Sequence, residues 1–419
     1  MEDIEIPHYF ICPISLQIMK DPVTAITGIT YDRESIEHWL LTSKNTTCPV
    51  TKQPLPLSDA DLTPNHTLRR LIQAWCSENS SKGVERIPTP KPPLEKAQIL
   101  KLLKDLDGDH HHQLKAIKRL ETLAAENERN RKFMVETSVA KAVFSYIAKY
   151  CFLRNQTEGL EQAMSILHYI VRIKNSTNNM NSSSGLTDQN LFENEHVMDS
   201  LTWVLSCTFE NNKNHIKAHT VFVLKSIVEK GNPNDLSRLK PEFFRNILEV
   251  VKNRDKNITH QGLNAALQIL LQAGPYGRNR TVMVQYGAVF ELVELEINST
   301  ERKTTELVFG ILFHLCSCAD GRAQFLSHKA SIFVVSRRIL RVSQAVDDRA
   351  VMIFSLICRF SGTKQVLREM LECGAVSRLC VLLQVECAGY LKERAREMLK
   401  THSGEWKDSP CIDESHYPR

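Results

Sequence analysis

A repeat of 42–46 residues governs most of this 419-residue chain and restricts its fold more than any other feature. Apolar segments with helical periodicity open near Ala97, Val139, Val197, Phe243, Val289, Ile332 and Val376. Every step but one falls in that range. The exception, Val139 to Val197, spans 58 residues and holds a polar run from Lys174-Asn175-Ser176 to Ser183-Ser184-Gly185. That run reads as a flexible insert over about 174–195. Units also carry a longer helix, as in residues 261–271, 306–315 and 351–357, apolar on nearly every face. Such helices must be buried between neighbours, because one amphipathic unit cannot enclose a core alone.

Two or three helices in each stretch of about 40–47 residues is the armadillo/HEAT pattern. The expected fold class is therefore mainly α, with a solenoid over 95–402 whose stacked units leave a concave groove. Such a groove binds partners more often than it catalyses. A nuclear-import-style adaptor would place Trp residues regularly along it, but only Trp203 of the four tryptophans lies within the repeats proper.

Composition excludes several classes. With 42% hydrophobic and 24% charged residues, the chain is an ordinary folded one. A net charge of +5 over this length lacks the dense basic footprint of a nucleic-acid binder. No apolar run approaches the roughly 20 residues of a membrane span, and Met1-Glu2-Asp3 does not open a secretory signal. Twelve scattered cysteines without a CxxC read as reduced thiols, which sets the expected location as the cytoplasm, with the nucleus as the other reducing compartment. Four prolines between Pro88 and Pro93 mark a linker, taken as 80–94. The polar end, 403–419, reads as a disordered tail. His110-His111-His112 reads as a solvated loop ahead of a helix near Gln113. The basic residues at Arg337, Arg338, Arg341, Lys392, Arg394, Arg396 and Lys400 read as solvated helix faces, with a basic stripe in the groove as the alternative.

The remaining part, 6–79, is turn-rich and of a different kind: a small α+β unit. Asp21-Pro22-Val23 and Thr27-Gly28-Ile29-Thr30-Tyr31 read as a hairpin turned by Gly28. Asp32 is expected to cap a helix that begins at Arg33 and carries Ile36 and Trp39. Cys12-Pro13-Ile14-Ser15-Leu16 forms a first loop and Cys48-Pro49-Val50 a second. A last helix is expected from Arg69, with Leu68, Leu71, Ile72 and Trp75 on one face. The unit offers His8, Cys12, His38, Cys48, His66 and Cys76, none paired at zinc-ligand spacing, so no metal site is assigned. Polar contacts must then hold the loops. The candidates are Ser15, Lys20, Asp21, Asp32, Arg33 and Glu37, and their pairing stays open.

These residues resemble the U-box. The matching string is Cys12-Pro13-Ile14, Met19-Lys20-Asp21-Pro22-Val23, Gly28-Ile29-Thr30-Tyr31-Asp32-Arg33, Ile36, Trp39 and Cys48-Pro49-Val50-Thr51, closing with Leu62-Thr63-Pro64-Asn65-His66-Thr67-Leu68-Arg69-Arg70-Leu71-Ile72. Together with the repeats, the layout resembles the plant U-box/armadillo ubiquitin ligases, in particular the short subgroup that opens Ile-Pro-x-x-Phe-x-Cys-Pro-Ile-Ser.

The resemblance implies a zinc-free RING-like fold and an E3 ubiquitin ligase without cofactors. Its partners would be a ubiquitin-charged conjugating enzyme (E2) on the U-box and a protein substrate on the armadillo groove. Self-association is left open. Carried over by position, the E2 contacts are Ile14, Leu16, Trp39 and Pro49; the competing reading makes Ile14, Leu16 and Trp39 simple core. Cys12, Pro13, Asp21, Pro22, Tyr31, Asp32 and Arg33 support the fold or loops, and no residue is a catalytic nucleophile. By the resemblance, Lys52 stands where many relatives clamp ubiquitin with a basic residue, Arg in some of them; its single amine lacks the planar fork of a guanidinium. Immune or stress signalling is the expected setting. The rivals are an armadillo adaptor with a vestigial U-box and a chaperone-linked ligase, whose repeats would run to 34 residues.

Overall fold

The computed structural model describes residues 6–41, 47–55, 62–80, 84, 96–176, 195–209, 214–253 and 258–406. Its contacts divide at Glu95 and Lys96 into two compact units.

In the first unit, β1 (Pro22–Thr24) pairs antiparallel with β2 (Thr30–Asp32), placing Val23 opposite Tyr31. Gly28 turns the hairpin at φ +78°, and its N–H closes on the Ala25 carbonyl at 2.8 Å. Helix α1 (Arg33–Leu41) follows directly. Strand β3 (Thr63–Pro64) pairs with the other edge of β1 and leads into α2 (His66–Glu78). Asn65 caps α2, its side chain accepting the Leu68 N–H at 3.0 Å. Phe10, Met19, Val23, Tyr31, Ile36, Leu40 and Ile72 form the core. The face of α2 differs from expectation. Ile72 and Cys76 are buried, while Leu71 turns to solvent. The linker boundary also shifts, because Val84 packs back on this core. The rest of 80–94, apart from Ser80, lies outside the described residues.

The second unit is a stack of helices. The expected segment starts fall on Lys96–Leu106, Val139–Tyr146, Glu195–Ser206, Pro241–Lys252, Ala288–Asn298, Ser331–Arg338 and Ala375–Gln384. The longer buried helices are Leu160–Ser176, Asn214–Val228, His260–Ala273, Arg302–Cys316, Gln344–Ser361 and Gly389–Thr401. A short helix precedes several pairs, as Gly277–Gln285 precedes Ala288–Asn298, which makes the unit a triad. The turn between those two helices needs a left-handed residue: Gly287 sits there at φ +78°, Gly374 at +75° and Ser138 at +57°.

The period reappears in polar contacts between units. Asn246 donates to the Thr202 carbonyl at 2.9 Å, Asn279 to Leu236 at 2.8 Å and Gln324 to Val284 at 2.9 Å, spanning 40–44 residues each. Each ties a side chain of one unit to a backbone carbonyl of the unit before it.

Two readings need correction. The three histidines are no loop: helix His110–Glu126 begins with them, capped by Asp109. The chain past 402 is not wholly tail. Ser403–Trp406 is a helical turn, and Trp406 is fully buried with its indole N–H on the Leu367 carbonyl at 2.9 Å. This staple spans 39 residues, so the turn completes the stack as the start of another triad would. Residues 407–419, and 177–194 of the insert, lie outside the described residues.

Candidate functional site

The two loops of the first unit are built alike. In the first, the Cys12 N–H donates to the Gln17 carbonyl at 2.9 Å and the Leu16 N–H to the Cys12 carbonyl at 2.9 Å. In the second, the Cys48 N–H donates to Gln53 at 2.8 Å and the Lys52 N–H to Cys48 at 2.9 Å. Each loop is closed behind by a β-bridge, between Ile11 and Ile18 and between Thr47 and Pro54. Each has one left-handed non-glycine residue, Leu16 at φ +57° and Lys52 at φ +62°. That conformation costs roughly 1–2 kcal/mol and persists only where the surroundings over-determine it. The sequence carries the signal: Cys-Pro-Ile-Ser-Leu-Gln at 12–17 and Cys-Pro-Val-Thr-Lys-Gln at 48–53 are one hexapeptide pattern used twice.

Both cysteine sulfurs are hydrogen-bond acceptors. Cys12 Sγ receives the Asp32 N–H at 3.3 Å. Burial alone would push this thiol up, but hydrogen bonds from Ser15, Asp32 and Ile14 outweigh it and hold the pKa below the ordinary value. Cys48 Sγ receives the Thr51 N–H at 3.4 Å and the Thr27 hydroxyl at 3.5 Å, and lies 2.9 Å from the Tyr31 hydroxyl. Burial opposes ionisation here too, yet the bonds from Thr27, Thr51 and Tyr31 bring the thiol down to about 6. The first loop is thereby tied to Asp32 and the second to Tyr31, the two residues that lead into α1. Trp39 on α1 makes a further tie, its indole N–H donating to the Thr47 carbonyl at 2.9 Å.

Carboxylates complete the frame. Asp32 does not act as the expected cap of α1: its Oδ1 accepts the Lys20 and Asp21 N–H groups at 2.8 Å each, clamping the end of the first loop segment. Burial raises the Asp32 pKa against the pull of those two bonds. Asp21 receives Arg33 Nε at 2.7 Å and faces Arg69 Nη1 at 3.6 Å, and Arg33 reaches Glu37 at 3.5 Å. These pairings settle the question left open for Lys20, Asp21, Asp32, Arg33 and Glu37. Sequence reasoning missed Arg69, Thr27 and Thr51. Among the described residues, no group of three His, Cys, Asp or Glu is arranged to hold a metal ion.

Leu16 is 76% exposed, far too open to be core. Ile14 and Trp39 are half-buried against the core, and Pro49 is half-buried at the second loop. Pro13 and Lys52 face solvent; Pro22 and Tyr31 are buried. The unit therefore presents an apolar set on two cross-tied loops and the helix between them.

Residues 6–81 match the U-box domain, and residues 98–419 match the plant U-box protein ARM repeat region. The chain belongs to the plant U-box/armadillo family. Among its relatives in Arabidopsis thaliana, E3 ubiquitin-protein ligase PUB23 is 41% identical, with 98% of this chain and 96% of that protein aligned. E3 ubiquitin-protein ligase PUB22 is 40% identical over 99% and 98%. A solved structure from work on the interaction between cadherin and beta-catenin overlays 81% of this chain and 61% of its own, with a TM-score of 0.57 at 9% identity, a likeness of fold alone. The U-box thus occupies the first unit and the ARM region the second.

Proposed function

We infer that this U-box/armadillo chain is an E3 ubiquitin-protein ligase whose U-box recruits a ubiquitin-charged E2 and whose repeats capture the substrate. One observation carries the contact surface: Leu16, held in a left-handed conformation by its own loop, projects an apolar side chain into solvent beside half-buried Ile14, Trp39 and Pro49. An exposed leucine on a rigid loop flanked by a part-exposed indole is a surface made for an apolar partner. The names carried by relatives aligned over nearly their whole length support the activity.

The chemistry asks for no nucleophile on this chain. A substrate lysine amine attacks the thioester carbonyl of the charged E2. The C–S bond breaks as the C–N bond forms, the thiol leaves with the E2, and the amine gives up a proton. Holding donor and acceptor together makes the step effectively intramolecular, worth on the order of 7–11 kcal/mol in well-oriented systems. Lys52, exposed at the end of the second loop, is the candidate ubiquitin contact and supplies one ammonium.

We place the protein in the cytoplasm, with the nucleus as the alternative, and in immune or stress signalling; localisation of a fluorescent fusion and challenge of a null plant line test these two. Self-association is tested by light scattering of the purified chain.

The deciding experiment reconstitutes ubiquitination with activating enzyme, an E2 panel and ubiquitin. Wild type should build chains on itself. Leu16→Ala, whose side chain the fold does not need, should not. Ile14→Ala and Trp39→Ala should fail while remaining folded. A wild type inert with every E2 moves the reading to an armadillo adaptor with a vestigial U-box.

A further inference from the structure

We propose that Cys48 is a positioning residue for ubiquitin transfer, its sulfur held as a thiolate that gathers three donors and so fixes the pose of Pro49 and Lys52. The inference rests on the ligase reading above. It begins from the crowding of polar groups around one buried sulfur. A backbone N–H from Thr51, a hydroxyl from Thr27 and the Tyr31 phenol converge on one sulfur that has no solvent contact. The amide can only donate. A neutral thiol could give its one proton to a hydroxyl, but it would then be a poor acceptor for the rest. A thiolate accepts all three at once. The phenol keeps its proton in that arrangement, because its pKa starts above the thiol's, and burial first and then the neighbouring sulfur raise it further.

Three different segments are joined at this point. Thr27 comes from the hairpin turn, Tyr31 from β2 and Thr51 from the loop itself. The same cysteine also receives the Lys52 N–H on its carbonyl, which is how the left-handed backbone of Lys52 is maintained. Its chain neighbour, Pro49, is an expected E2 contact. Cys48 therefore connects the core phenol Tyr31 to both functional residues of the second loop. Tyr31 is the titratable side chain bonded to the sulfur, and Cys12 acts on that phenol electrostatically. A thiol pulled down to about 6 is largely ionised at neutral pH.

The test uses the full chain and an E2 loaded with ubiquitin, discharged onto free lysine. Cys48→Ser keeps a hydrogen-bonding atom that does not ionise; Cys48→Ala removes the acceptor. Folding of each variant is checked by circular dichroism. Discharge by wild type, divided by that of Cys48→Ser at each pH, should rise with a midpoint at about 6. Cys48→Ala should lose about ten- to a hundredfold at neutral pH, the scale of a misplaced reacting pair. The difference in thiolate absorbance between wild type and Cys48→Ser should titrate at the same midpoint. A flat ratio, a missing thiolate signal, or a folded Cys48→Ala that discharges at the wild-type rate each overturns the proposal. A wild type that discharges no E2 sinks the ligase reading itself. The absorbance titration still reports, independently, whether Cys48 ionises.

Discussion

Replacing Asp32 should loosen the first loop far more when the acceptor is removed than when only the charge is. Its Oδ1 takes two backbone N–H groups, from Lys20 and Asp21, at 2.8 Å each. Hydrogen bonds to a charged acceptor contribute about 1.5–3 kcal/mol net. Lys20 is exposed and its N–H recovers water when the partner goes, so Asp32→Ala should cost about 2–4 kcal/mol. Asp32→Asn keeps an oxygen at the same place. It also removes the burial penalty and the repulsion from Asp21 that raise the native pKa. Its cost should stay within about 1 kcal/mol. Amide hydrogen exchange on the intact chain reads this difference in peptides covering residues 12–32. Where exchange follows local opening, Asp32→Ala should accelerate it about 30- to 700-fold, at 1.4 kcal/mol per decade, and Asp32→Asn less than about tenfold. E2 discharge should follow the same order. Equal exchange in the two variants, or a rate in Asp32→Ala close to wild type, would refute the assignment of Asp32 as the clamp.

Three further outcomes follow from the repeats. Trp406→Ala should cost about 3–5 kcal/mol and lower the melting temperature, as should truncation after residue 402, because a fully buried indole and its bond to Leu367 are lost; unchanged melting of the truncated chain would return 403–406 to the tail. Arg338 Nε lies 2.6 Å from the buried Glu296 carboxylate, whose pKa burial raises to about 7, so Arg338→Ala should cost about 1–3 kcal/mol as the carboxyl loses its partner and takes up a proton. The double variant Glu296→Gln with Arg338→Met should recover much of the loss in denaturant unfolding, and no recovery would mean that Arg338 acts through other contacts. His168 and His219 stack with ring centroids 4.3 Å apart, and burial lowers both from 6.5 to about 4. The unfolded chain therefore binds more protons between those values, so stability falls as pH drops through that window. After allowance for partial exposure, the loss should reach about 1 kcal/mol per ring by pH 5. His219→Phe should show a shallower slope in urea melts at pH 7 and 5, and an unchanged slope would count against the stack as its source.

The glycines and the linker illustrate how far local pattern reaches. Gly28 and Gly287 mark turns because a left-handed backbone is a property of one residue, visible without knowing what lies beside it. The linker is marked by proline for a similar reason, yet Val84 within it folds back on the U-box, a choice made by an apolar core that no local signal announces.

The two-part architecture, the repeat period and the loop residues that carry the U-box resemblance are all legible along the chain. A period of 42–46 is visible because each triad buries the same faces against its neighbours, so the spacing of apolar segments is the spacing of the stack. What those residues do depends on contacts made in the folded chain. Asp32 has the sequence of a helix cap, and only the approach of Lys20 and Asp21 turns its carboxylate away from that role. Leu71 fits the apolar face of α2, and only the position of the core sends it to solvent in favour of Cys76. Trp406 sits in a polar stretch, and only the open end of the last triad gives it a place to be buried. Periodicity is a local property and can be read along the chain. The partner of a carboxylate or a sulfur, 11–21 residues away in these cases, exists only once the chain has closed on itself.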